Sequence, residues 1–312
     1  MMSKYLVTGA MGCIGAWTLY HLQQQGKSVV SFDLSVDQSR LDLLMTDEEK
    51  AAITFLTGDL TDSAQVRQVI AENEITHIIH LAALQVPMCK ANPILGAQVN
   101  VTGTMNVFEG ARNAGLQHIA YASSIAVYGS PNQYTTDILP HDAPMMPQTL
   151  YGVFKVANEG IAEVYWRDYR LSSTALRPYT VYGPGRDQGL TSEPTKAMYA
   201  AVKKEDYHIS FSGKMQFQFA SDVAQQFIMA AELPLSGAYS FNLGTPPITV
   251  QHVADTIMKL FPEVTITVGD TRLPFPEGFD DSQLKQVFSH VYETPLEEAV
   301  QRTTEILRQH IR

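Results

Sequence analysis

Cysteine is nearly absent: the 312 residues hold two, Cys13 and Cys89. Two thiols cannot build a disulfide framework, so a reducing compartment and a cytoplasmic location are expected. Positive charge is also scarce, with 22 Lys and Arg against 32 Asp and Glu and a formal net charge of −10. No basic patch stands out, which argues against nucleic acid or an anionic membrane as a partner. No apolar run approaches the ~20 residues needed to cross a bilayer. The first residues, Met1-Met2-Ser3-Lys4-Tyr5-Leu6-Val7, enter a strand-like run without the apolar core of a signal peptide. There is no internal repeat or low-complexity segment, and no metal site is expected.

What is present is a 45% hydrophobic chain, enough for a large core, at a length between one simple domain and two independent ones. Short apolar runs predict strands over 5–7, 28–32, 53–56, 78–81, 119–122 and 174–177. Helical patterns fall between them, over 14–25, 63–72, 99–114 and 151–169, with Asp62 or Ser63 as cap of the second. The strands are continuous apolar runs rather than alternating ones, as when both faces are buried. Such alternation predicts an α/β fold, a Rossmann-like doubly wound parallel sheet. After Arg186 the rhythm becomes irregular and richer in proline. One helix, 221–232 with Ser221 or Asp222 as cap, and one strand, 239–242, return to the sheet. The expected division is a dinucleotide-binding domain over 1–185 with 219–245, and a smaller substrate-binding subdomain from 186–218 and 246–312.

The glycine run Thr8-Gly9-Ala10-Met11-Gly12-Cys13-Ile14-Gly15 lies between the first strand and first helix. Gly9 permits the turn, Gly12 lets backbone approach a pyrophosphate, and Gly15 lets the helix pack closely; the helix N-terminus supplies N–H groups and partial positive charge. Asp33, eighteen residues after Gly15, ends the second strand, where a carboxylate bonds ribose hydroxyls and repels a 2′-phosphate. NAD is therefore expected rather than NADP. Cys13 sits where a thiol pKa could fall, although a small packing residue explains it equally simply. Tyr151 and Lys155 are four apart on one helix and share a face. An ammonium beside a phenol favours the phenolate and fits it to take a hydroxyl proton. A second Tyr-x-x-x-Lys, Tyr199 to Lys203, lacks the preceding Ser123-Ser124 segment and reads as a surface helix pair.

Together these segments resemble the extended short-chain dehydrogenase/reductases, within the NAD-dependent epimerase/dehydratase family. Further matches are Gly58-Asp59-Leu60, His80-Leu81-Ala82-Ala83, Asn100 to Thr104, Arg177 to Gly185, and Asp280 to Lys285. The resemblance implies Ser124, Tyr151 and Lys155 as catalytic residues with Asn100 in support. It implies cofactor contacts at Gly9, Met11, Gly12, Cys13, Ile14, Gly15, Asp33, Asp59, Leu60, Leu81, Ala82, Ala83, Ser123, Tyr151, Lys155 and Pro178. It also implies a homodimer through helices 99–114 and 151–170, with Val153, Val156, Ile161 and Val164 as apolar positions for that interface or the core.

The departures are informative. Family dehydratases follow the Ser/Thr with an Asp-Glu pair; here Ile125-Ala126 cannot move a proton, so dehydration is not expected. Nucleotide-sugar epimerases usually place Asn three residues after the strand-six Arg, and this chain has Thr180. They place Arg seven residues before the late-helix Asp, and counting back from Asp222 reaches Met215. Lys214, Arg186 and Arg272 are the cations left to meet a substrate anion, with Thr180 beside them. The expected substrate is a small-molecule carbohydrate, either a nucleotide sugar undergoing epimerisation or a small free sugar or sugar acid undergoing net oxidation. A non-catalytic NAD-sensing protein is the reading from another class.

Overall fold

The structure, a computed structural model, describes residues 3–310. At its centre lie strands β1 (Lys4–Thr8), β2 (Ser28–Asp33), β3 (Thr54–Thr57), β4 (His77–His80), β5 (His118–Ala122), β6 (Ser172–Arg177) and β7 (Ala238–Asn242). They pair in the order β7-β6-β5-β4-β1-β2-β3, every pairing parallel. The winding reverses between β1 and β4, and the carboxyl ends of strands at such a switch point are where ligands bind in open α/β sheets.

Eight main helices accompany the sheet: α1 (Cys13–Gln24), α2 (Ser63–Glu72), α3 (Gly103–Asn113), α4 (Leu150–Tyr169), α5 (Glu193–Val202), α6 (Ala220–Glu232), α7 (Val250–Leu260) and α8 (Leu296–His310). Adjacent residues of one strand serve opposite faces. Tyr5 and Val7 join α1 and α6 in one apolar cluster, while Leu6 packs with Val66 of α2, Phe108 of α3 and Ala162 of α4 in another. Both sheet faces are thus buried, which explains the continuous apolar runs. The strand 238–242 does return to the sheet, at its edge beside β6.

The later segments build a second layer beyond the strand ends. Tyr207–Ser212 pairs in parallel with Ile266–Arg272, and Thr180–Tyr182 with Phe217–Phe219. One apolar cluster runs without a break from Trp17 through Phe227 to Val253 and Leu307. The two expected parts of the chain therefore share a core.

Several local expectations shift. The helix expected from 99 begins as a π-turn, Gln98–Thr102, before α3 proper. Asp62 caps α2, accepting from the N–H groups of Ala64 and Gln65. Neither Ser221 nor Asp222 caps α6, which starts at Ala220 with Phe219 in the cap position. Asp222, two residues into the helix, accepts instead from the backbone and hydroxyl of Thr294 at 2.6 and 2.8 Å. Among the described residues no helix is long and apolar enough to cross a membrane.

Candidate active site

The glycine loop leaves the carboxyl end of β1 and enters α1. Gly9 is left-handed, with φ 67°, and lies against the backbone of Ala82 at the end of β4. A Cβ on Gly15 would fall 2.2 Å from the Gly9 carbonyl, so α1 can sit this close only with glycine there. Gly12 stands at the N-cap without a side-chain cap bond, which leaves the first N–H groups of the helix for a ligand. Asp33 accepts from the Met11 N–H through Oδ2 and the Ser35 N–H through Oδ1, both at 2.9 Å, which fixes the acid beside the loop. Burial pushes the Cys13 thiol up to about 11, against the opposing charges of Arg186 and Arg40, so Cys13 is a packing residue and not an activated thiolate.

The neighbouring family positions line the same strand ends. Asp59 accepts from Thr61, and Leu60 is buried with its carbonyl bonded to Asn106. Leu81 continues β4 by donating to the Thr8 carbonyl, ahead of Ala82 and Ala83. Pro178 accepts from Ile125 at 3.2 Å. The residues present fit a dinucleotide: a glycine cradle at a helix start, an acid, Asp33, at the next strand end, and the switch point of the sheet beside them.

The residues expected to handle the proton converge at the end of β5 and the start of α4. Ser124 caps a short turn, its Oγ accepting from Ala126 at 3.1 Å, and its side chain acts on the Tyr151 phenol. Burial raises the Tyr151 phenol, and the Ser124 side chain and the charge of Arg186 oppose that rise. Lys155 is buried, and desolvation brings its ammonium down to about 8, with the carboxylate of Glu159 pulling the other way. Its Nζ donates to the Ala122 carbonyl at 2.5 Å and lies 5.6 Å from the Tyr151 ring centroid. The Ser124 side chain and the Arg186 charge both ease the phenol toward ionisation. Asn100 lies within the π-turn, its side chain bonded to both N–H and C=O of Leu84 at 2.7 and 2.9 Å, while its carbonyl accepts from Asn158. It pins the Leu84 backbone to the π-turn.

Ser123 is a different case from its expected cofactor contact. Its hydroxyl is engaged by Glu159 Oε1 at 2.5 Å, and Glu159 in turn holds Arg177 through paired bonds of 2.8 and 2.5 Å. Arg177 reaches on to Tyr128, which bonds Asn242. This buried network, one turn beyond Lys155, went unread in the sequence. Its only signal was an acid four residues after the lysine, and Arg177 arrives from β6.

The four substrate candidates separate. Thr180 is fully buried and its hydroxyl meets Met215 Sδ at 3.3 Å. The two positions that depart from the epimerase pattern therefore pack on each other as an uncharged pair. Lys214 is half-exposed, 3.8 Å from Glu277, and the stem of Arg272 passes over Gly213 beside it. Among the described residues no ion pair or hydrogen bond links either one to Arg186. Of these four, Arg186 is the one whose charge acts on the Tyr151 phenol. Its Nη2 reaches Thr191 at 3.4 Å, its Nε is buried without a partner, and it makes no salt bridge among the described residues. Tyr199 and Lys203 form an outward pair at the end of α5, the ammonium 4.6 Å from the ring centroid.

A doubly wound parallel sheet with a glycine cradle and a Ser-Tyr-Lys cluster at its strand ends defines a dinucleotide-dependent oxidoreductase class. Residues 5–244 match the NAD dependent epimerase/dehydratase family, and the chain belongs to it. It is an enzyme, and its cofactor is NAD. A UDP-glucose 4-epimerase of Mycolicibacterium smegmatis is 32% identical over 248 residues, 78% of this chain and 77% of that one. The mitochondrial L-threonine 3-dehydrogenase of Bos taurus is 25% identical over 95% of this chain and 80% of its own length. The structure of MoeE5 in complex with UDP-glucuronic acid and NAD is similar at a TM-score of 0.83, with 26% identity, covering 99% of this chain and 100% of that one.

Proposed function

We propose that the protein oxidises a secondary hydroxyl of a small sugar acid, with the substrate carboxylate on Arg186. The observation that carries this reading is a guanidinium, Arg186, that makes no ion pair among the described residues and whose charge acts on the Tyr151 phenol. A partly buried cation left without a counter-ion is costly, and an anionic group on the substrate supplies one. The names of two similar proteins include carboxylate-bearing compounds, UDP-glucuronic acid and L-threonine. The buried Thr180–Met215 pair offers no charge to a nucleotide diphosphate.

NAD, when bound, accepts the hydride from the carbinol carbon. Tyr151 takes the hydroxyl proton, Ser124 holds the same oxygen in line, and Lys155 keeps positive charge under the phenol. Ile125 and Ala126 give no acid–base pair for loss of water. Asn100, through Leu84, fixes the opposite wall. A homodimer is part of the reading, with α3 and α4 as the paired helices, as is a cytoplasmic location.

The second reading is a nucleotide-sugar epimerase that retains its NAD, favoured by the names of the UDP-sugar relatives. The test is NADH absorbance when purified protein and added NAD meet free sugars, sugar acids and nucleotide sugars. NADH accumulating with a sugar acid is the expected result. Consumption of a nucleotide sugar without NADH would replace it with the epimerase reading.

A further inference from the structure

One guanidinium spans the cleft between the cofactor loop and the strap that carries Arg186. Arg40 stands on the short helix Ser39–Asp42, beyond Asp33. Its Nη1 donates to the Met11 carbonyl in the glycine loop at 2.8 Å. Its Nε donates to the Gly185 carbonyl at 3.0 Å, and its Nη2 pairs with Asp187 at 2.7 Å. Gly185 and Asp187 are the two neighbours of Arg186, so Arg40 holds the chain on both sides of that cation. A Cβ on Gly185 would lie 3.5 Å from Cβ, Cγ and Cδ of Arg40, so the stem of Arg40 lies along the strap. The first turns of α1 hold the same segment from the other side: Trp17 Nε1 donates to the Pro184 carbonyl at 3.1 Å, and Cys13 Sγ approaches it at 3.7 Å. An arginine after the second strand could also receive a 2′-phosphate, but all the hydrogen bonds Arg40 makes go to the loop and the strap.

We propose that Arg40 is a positioning residue that couples the glycine loop to the 183–192 strap, so that seating NAD orders Arg186 for an anionic substrate. The second half rests on the reading of Arg186 as the substrate's anion contact. The coupling is reciprocal: whatever the strap gains when the loop is filled, NAD gains when the strap is held.

The test is hydrogen exchange on the full chain with and without NAD, with NAD binding measured separately by titration. In the wild type, NAD slows exchange across 183–192 by about threefold or more, the scale of a local opening suppressed by ligand. In Arg40→Met that protection is lost although NAD still binds. Asp187→Asn, which leaves the Met11 bond intact, loses it as well, and Arg40→Lys recovers part. Full NAD-dependent protection in Arg40→Met and Asp187→Asn would overturn the proposal, as would its absence in the wild type. If Arg40→Met does not fold or bind NAD, Asp187→Asn decides by the same readout. Arg186→Met separates the two readings. It keeps NAD-dependent protection and loses binding of D-glucuronate, used as the probe. Unchanged glucuronate binding there would remove the substrate reading and leave the coupling by Arg40 standing.

Discussion

At the scale of single residues, the proposed chemistry rests on a phenol that burial makes reluctant to ionise and an ammonium that burial makes ready to lose its proton. Tyr151→Phe should lower kcat/KM by ~10²–10⁴, the usual loss for a positioned acid–base group, with NAD affinity nearly unchanged. A variant of full activity would remove Tyr151 from the mechanism and revive the sensing reading. In the proposed mechanism Lys155 sets the upper pH limit. Its ammonium loses its proton near pH 8, and with it goes the positive charge that the proposed mechanism places under the phenol. Activity should therefore fall as pH rises through about 8 on this group, and a pH–rate profile of kcat reads it. Tyr151 and Lys155 were legible because spacing four on a helix is a local signal. Glu159 was not, since an acid one turn on acquires meaning only when β6 brings Arg177 to it. The Thr180–Met215 contact was equally hidden, because it joins residues from separate strands.

At the scale of elements, the catalytic distances depend on how closely α4 approaches the turn after β5. Gly152 sits at that contact: a Cβ there would fall 2.1 Å from the Ala126 carbonyl and 2.9 Å from Pro147. Neither is the end of a flexible side chain, so Gly152→Ala must move the first turn of α4, which carries Tyr151, away from Ser124. The expected result is a fall in kcat of about 10²-fold for a displacement near 1 Å. NAD binding should persist, since the glycine loop is untouched. A fluorescence titration with NADH beside a kcat measurement checks both halves. The alternation of strands and helices through β6 was readable because each parallel strand is buried on both faces and each crossover has its own helical period. The later layer was not. Tyr207–Ser212 finds its partner some sixty residues on, in Ile266–Arg272, and its pairing shifts register between Val268 and Thr271. The π-turn at Asn100 gave no signal either, because its residues keep a helical pattern and only the backbone bonding changes.

At the scale of the whole molecule, the outer face of α4 has no cover. Leu150, Val153 and Val164 are 42%, 46% and 40% exposed, and Val153 and Val164 stand three turns apart on one stripe. Val156 and Ile161, the other two apolar positions considered for this helix, turn inward against the core clusters. Met105 adds to the exposed apolar surface from the neighbouring helix α3. Apolar side chains aligned along adjacent helices mark a surface that gains by leaving water, and a second copy brings a matching stripe by symmetry. Sedimentation at micromolar concentration should show a dimer, and Val153→Glu with Val164→Glu should give a monomer that still binds NAD. That retention is expected because Lys155 and Glu159 are buried on the opposite side of α4, toward the sheet, so the charges introduced outside do not reach the site. A wild-type chain that sediments as a monomer would leave the stripe to some other partner, and equal dimerisation of the double variant would place the interface elsewhere.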